Sequence, residues 1–482
     1  MNSRLYKRIC IPLFFLVVAA SSLYAKVELP SVIGDNMVLQ QQTQVALWGR
    51  TTGKKVVISP SWTRQKTVVV PKDDGKWFTR ISTPEAGGPY TITLNDGEKL
   101  TIENVLIGEV WYCSGQSNME MPMQGFKAQP VEHSTDYILE ASTRVPIRIF
   151  NVPNDKARSP KDDIDASWKE NLPEDVGKTS AVAYFFACKI HKVLDVPVGI
   201  IIADVGGTSI EAWLGRDVIE KEFPGEFDTS ILDTGELKDL RGSRHPSILY
   251  NGMVSALEPF TFKGMLWYQG ENNRPRPEQY TRLQTAYANM MRERFQNPDA
   301  AFYFVQIAPF NYQPEGRYAS GYFCEAQAKT LFTIPHSGMV TTTDIGSYST
   351  IHPPKKMEVG NRLAYLALVN DYGIKGIDPV APTYKSMDII DGNVVLEFNA
   401  DPLGIGPMNV DLPGFEVAGP DRVFHPVKAR VVKKQVILIC DEIPNPIAVR
   451  YCFRNWCVGK LANAYGIPVG PFRTDDWDDI EM

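Results

Sequence analysis

The sequence predicts an α/β protein: a parallel sheet with helices on both faces, flanked by β-rich units at the amino and carboxyl ends. Three observations predict it. Between about 105 and 343, five continuous apolar runs alternate with helical patterns, as strands buried on both faces do. Before 105 the runs are short, β-branched and punctuated by Gly and Asp. From about 378 strand signals return and helical ones do not. With 482 residues, 44% hydrophobic and 22% charged, the chain is long enough for about three domains and too apolar to be disordered. A formal charge of −6 has the wrong sign for a protein whose main partner is nucleic acid.

Residues 1–25 are a sequence of another kind. Arg4, Lys7 and Arg8 precede an apolar run, Ile9 to Ala20, and then the small residues Ser21, Ser22 and Ala25. This reads as a secretory signal peptide cut after Ala25, because the run is short of the ~20 residues a spanning helix needs. The expectation is a periplasmic or secreted protein with no membrane span in the mature chain. No cysteine stands at a lipoprotein cleavage position. Cutting removes three cations, so −6 becomes −9. Six cysteines remain where disulfides are permitted, and spacing does not choose among their pairings.

Residues 26–104 read as a β-sandwich-like unit with strands at Val45–Trp48, Val56–Ser59, Thr67–Val70 and Tyr90–Leu94. Residues 105–377 read as the α/β unit. Its strands are Val105–Cys113, Val198–Ala203, Gly264–Tyr268, Ala301–Ile307 and Gly338–Thr343. Its helices are Ala181–Val193, Tyr280–Phe295 and Met357–Val369, and 153–180 and 214–245 are polar insertions. Residues 378–482 read as a β-rich unit with strands at Val394–Phe398, Ala429–Val432, Val436–Ile439 and Ala448–Tyr451.

Open parallel sheets bind ligands at the carboxyl ends of their strands. The first strand is followed by Ser114-Gly-Gln-Ser-Asn-Met119, and the second by Asp204-Val-Gly-Gly-Thr-Ser209 and Ile210-Glu-Ala-Trp213. The third is followed by Gln269-Gly-Glu-Asn-Asn273, and the fifth by Asp344 and Ile351-His-Pro353. Acyl transfer by a serine needs a nucleophile, a base and donors for the oxyanion. Ser117 is the candidate nucleophile and His352 the base. Gly207 offers backbone N–H; Gln269 and Asn273 offer amides. Met119 breaks the G-x-S-x-G pattern, which argues against a nucleophile elbow. Carboxylates at Asp204, Glu211, Glu271 and Asp344 leave glycosidase chemistry as a competing reading. No P-loop lysine, H-E-x-x-H or zinc-spaced cysteine cluster is present.

These blocks resemble the sialate O-acetylesterase family of SGNH hydrolases. Gly108 to Glu120 resembles the nucleophile block, Gly207 to Trp213 the second, and Leu249 to Met253 with Trp267 to Asn273 the third. Ile351-His-Pro353 with Glu358 to Leu363 resembles the histidine block. Met37 to Gln40, Gly75 to Trp77 and Pro471 to Asp475 match the flanks. The resemblance implies an SGNH-type, flavodoxin-like sheet and a serine esterase that removes O-acetyl groups from sialic acid without metal or cofactor. It implies Ser117 as nucleophile and His352 as base. It implies an oxyanion hole of the Ser117 N–H, Gly207 and an amide from the Gln269–Asn273 block, Gln269 before Asn273. Gln116, Glu211, Trp213 and Glu271 are then expected to bind substrate. Two positions depart. Many relatives have Asp two residues before the histidine, where this chain has Thr350, and Ser349 is no acid either. Asp344 is the nearest upstream acid; a Ser–His dyad with a backbone carbonyl holding the imidazole is the alternative. Cys324 stands where relatives usually have Arg. Acetylated neutral glycans such as xylan are therefore a second substrate class, and a carbohydrate-binding protein with a dead site a third reading.

Overall fold

The computed structural model describes residues 26–234, 245–312 and 318–478. The signal peptide expected over 1–25 lies outside the described residues. The central sheet contains β1 (Lys99–Gly115), β2 (Ile147–Asn151), β3 (Lys169–Glu170), β4 (Val198–Asp204), β5 (Gly264–Tyr268), β6 (Ala301–Val305) and β7 (Ser337–Val340). Its order is β7-β6-β5-β1-β4-β2-β3, parallel throughout except for the β2–β3 pair. β1 is thus central, with chain-order reversal on either side of it. This is where a crevice opens at strand carboxyl ends.

Burial along β1 explains its length. From Lys99 to Asn104 exposed residues predominate, and from Val105 onward every residue is buried. The first half pairs with Gly87–Asn95 and the segment after it with Val38–Gln40; the last seven residues pair with β4. The boundary expected between 104 and 105 therefore falls inside one continuous strand, which ties the first β unit into an 11-stranded sheet.

Side chains alternate across the sheet as the strand period requires. Trp111, Cys113, Ile200, Ile202, Leu266, Tyr268 and Tyr303 enter the core under α2 (Ala181–Leu194) and α5 (Lys356–Asn370). Val110, Tyr112, Ile201, Ala203, Met265, Trp267 and Phe304 enter the core under α3 (Pro277–Arg294). Gly360 lets α2 and α5 close, because a Cβ there would lie 2.7 Å from the Val182 carbonyl and 2.8 Å from the Phe185 Cβ.

Two four-stranded antiparallel sheets fill the carboxyl-terminal unit. It docks on the end of β7: Thr341 Oγ1 donates to the Pro468 carbonyl (2.6 Å) and Thr343 Oγ1 to that of Val469 (2.9 Å). Arg473 Nε donates to Glu325 (2.8 Å) on the helix α4 (Ala319–Lys329). All six cysteines of the described residues are free, with Cys452 Sγ 2.9 Å from Cys457 Sγ.

Candidate active site

β1 ends at Gly115, whose φ is +151° and whose missing Cβ leaves room for the Tyr268 carbonyl. The Gln116 N–H donates to that carbonyl (3.0 Å), which locks the end of β1 to the end of β5. The chain then turns into the short helix α1 (Ser117–Glu120), so Ser117 stands at the head of the central strand. The β4 turn lies against it: a Cβ on Gly206 would come 3.3 Å from the Ser117 Cβ and 2.6 Å from Glu120 Oε2. Gly207 is exposed at φ +69°, with open space where a Cβ would sit.

The histidine segment is tied to the helix α1 by Asn118. Its Nδ2 donates to the Ile351 carbonyl (3.0 Å) and to Glu271 Oε1 (2.5 Å), and its Oδ1 accepts from Lys356 Nζ (2.5 Å). Burial raises the Glu271 pKa; burial lowers that of Lys356 to about 7, against the pull of Glu271.

His352 is half-buried, with the ring of Phe126 edge-on to it at 5.1 Å. Its Nδ1 lies 2.9 Å from Gln129 Oε1, and its Nε2 is buried without a hydrogen-bond partner. Burial first, and the Lys356 charge second, push its pKa down to about 4, away from the 6.5 of a free imidazole.

Asp344 does not orient the imidazole. Both its oxygens are held by Arg362, Nη1 to Oδ1 at 2.8 Å and Nη2 to Oδ2 at 2.5 Å. Nor is a backbone carbonyl the partner of Nδ1; a side-chain amide is. The amides of Gln269 and Asn273 are also wrongly placed for an oxyanion, since both residues are wholly buried. Gln269 Nε2 donates to Gln116 Oε1 (3.2 Å), the Thr208 carbonyl (3.0 Å) and Asn273 Oδ1 (2.8 Å). Asn273 Nδ2 donates to Glu211 (2.8 Å).

The residues expected to bind substrate share that position. Gln116, Glu211, Trp213 and Glu271 are all buried. Gln116 Oε1 also accepts from the Gly270 and Asn272 N–H groups, Glu211 from Arg276 (2.6 Å), and Trp213 Nε1 donates to Thr208 (3.1 Å). They form a hydrogen-bonded floor that fixes the three strand-end turns, not a wall a sugar could touch. Of the residues expected around the oxyanion, Gly207 and Ser117 reach the surface.

Two carboxyl groups lie by this turn: Glu120 on α1, which the sequence did not single out, and Asp204 at the end of β4, which the sequence offered only for the glycosidase reading. Burial, opposed by the Gly206 N–H, raises the Glu120 pKa. Burial, then the Glu120 charge, raises that of Asp204 much further. Among the described residues no cluster of His, Cys, Asp and Glu is arranged to hold a metal ion.

A serine and a histidine at the carboxyl end of a parallel sheet, over glycine turns and a hydrogen-bonded floor, form the layout of a hydrolytic site on an open α/β sheet. Residues 107–368 match the family model described as carbohydrate esterase, sialic acid-specific acetylesterase. The sialate O-acetylesterase of Mus musculus is 25% identical over 92% of this chain and 93% of its own. That of Rattus norvegicus is 26% identical over 77% and 78%. A carbohydrate acetylesterase from Xanthomonas citri superposes with a TM-score of 0.83 at 30% identity, covering 94% of this chain and all of that one. The chain belongs to the sialic acid-specific acetylesterase family of carbohydrate esterases, and it is an esterase.

Proposed function

We propose that this protein is a secreted serine esterase that removes O-acetyl groups from sialic acid, with Ser117 as nucleophile and His352 as base. The observation that carries the mechanism is the state of His352: Nδ1 is held and Nε2 is left as a buried, unpartnered acceptor one peptide from the Ile351 carbonyl that Asn118 grips. Ser117 Oγ attacks the acetyl carbon while Nε2 takes its proton, and the carbonyl electron pair moves onto oxygen. The Ser117 and Gly207 N–H groups are the donors for that oxyanion. The imidazolium returns the proton to the sugar oxygen as the ester C–O bond breaks. Water then repeats the cycle on the acyl-enzyme and releases acetate. No cofactor enters any step.

Sialic acid as the substrate rests on the family match and on the names of the mammalian relatives. Trp213, expected to bind substrate, is wholly buried and offers no stacking face to a neutral glycan. Acetate release from O-acetylated sialic acid and from acetylated xylan, compared at equal ester concentration, tests the choice. Faster release from sialic acid is expected; release from xylan alone would transfer the reading to neutral glycans.

A further inference from the structure

We propose that Gln129 is the positioning residue of the catalytic histidine, its neutral amide oxygen standing where hydrolases of this layout use a carboxylate. The proposal rests on the Ser117–His352 reading and deepens it.

The geometry is a closed ring of hydrogen bonds. The His352 backbone N–H donates to Thr350 Oγ1 (3.1 Å), that hydroxyl donates to Gln129 Oε1 (2.9 Å), and the same oxygen accepts from the imidazole Nδ1–H (2.9 Å). Thr350 stands two residues before His352, where the family resemblance led to an acid being expected. A threonine hydroxyl cannot supply the charge-bearing acceptor of an acid, but it can aim one. With Nδ1 carrying the proton, Nε2 is the basic nitrogen, which is the tautomer the mechanism needs.

The turn that delivers Gln129 is built for this. Gln129 N–H closes on the Phe126 carbonyl (2.9 Å), so the amide of Gln129 and the ring of Phe126 reach the imidazole from one turn. Gly125, at φ +78°, lets the Gln129 carbonyl pass where a Cβ would sit. Glu132 N–H donates to the Pro354 carbonyl (3.0 Å), which fastens the turn to the histidine segment from the other side.

An amide oxygen orients the ring as a carboxylate does, but it adds no charge to stabilise the imidazolium. The charge that acts on the ring is Lys356, from its own segment. Phe126 and Gln129, on the opposing turn, are uncharged, and Glu271 faces Lys356 across Asn118. The base accordingly stays neutral and active in mild acid, at the cost of a weaker hold on the protonated intermediate.

Steady-state acetate release against pH from O-acetylated sialic acid, for wild type, Gln129→Ala, Gln129→Glu and Ser117→Ala, tests this. Gln129→Ala is expected to lower kcat by about 10- to 100-fold with KM little changed, as a loosened base does. Gln129→Glu is expected to recover much of that kcat and to move the acid limb up by about one to two pH units, since a carboxylate favours the imidazolium. Ser117→Ala separates the two levels. If it abolishes release while both Gln129 variants keep the wild-type kcat and acid limb, the role of Gln129 is overturned and the dyad stands. If Ser117→Ala releases acetate at the wild-type rate, the underlying reading fails. A Gln129→Ala protein that does not fold leaves the Gln129→Glu limb to decide, because a merely structural role would not shift it.

Discussion

At the scale of single residues, the imidazole environment decides the pH behaviour. A base works only when deprotonated, so the limb of kcat/KM falls as pH drops through its pKa. Burial and Lys356 place that limb near pH 4, not near the 6.5 of an unshifted histidine. A pH profile with half-maximal kcat/KM near 6.5 would contradict the environment described. Asp344 gives the complementary prediction. Its carboxylate serves Arg362, whose side chain is buried, so Asp344→Asn is expected to leave the acid limb in place. It is also expected to lower stability by about 1–3 kcal/mol, read from urea unfolding. Ser117 and His352 were legible as candidates because strand-end position and residue type pointed to them. Gln129 was not: it meets His352 across 223 positions, from a polar turn with no motif. The fates of Gln269, Trp213 and Glu271 were equally hidden, since a strand-end amide or aromatic reads alike whether it faces the crevice or lies beneath it.

At the scale of elements, periodicity carried most of the fold. β5 and the strand Ala448–Tyr451 fall where the apolar runs place them, and α2 and α5 within two residues of theirs. β2 escaped because Arg148 interrupts its apolar run; buried in the sheet, it pairs with Glu170 at 3.0 Å, a solution sequence spacing does not display. Lys76–Ser82 escaped for a related reason, as four of its seven residues, Lys76, Thr79, Arg80 and Ser82, carry charge or hydroxyl. α4 opens on Ala-Ser-Gly, a poor helical start, and forms because Gly321 packs against the ring of Phe453. The α2–α5 contact gives a prediction: Gly360→Ala is expected to cost about 1–3 kcal/mol by forcing α5 from α2, with activity kept in the folded fraction. An unchanged denaturation midpoint would mean the helices can part freely.

At the scale of the whole molecule, the three units are not beads on a string. β1 runs from the first β unit into the centre of the catalytic sheet, and composition shifts cannot mark a boundary inside one strand. The carboxyl-terminal unit caps the β7 end through Thr341, Thr343 and Glu325, beside the segment that leads to His352. Removing residues 378–482 would strip those partners, take Phe453 away and expose the Tyr318 and Tyr322 rings it covers, so the shortened chain is expected to unfold at lower urea than the full one. Equal midpoints and equal activity would show the cap to be dispensable. No helix among the described residues is long and apolar enough to cross a membrane. The most direct measurement is acetate release from O-acetylated sialic acid by wild type beside Ser117→Ala, both shown to be folded. Release by wild type and a loss of roughly 10⁴-fold or more in the variant is the expected result; release by Ser117→Ala at the wild-type rate would contradict the assignment of the nucleophile and everything built on it.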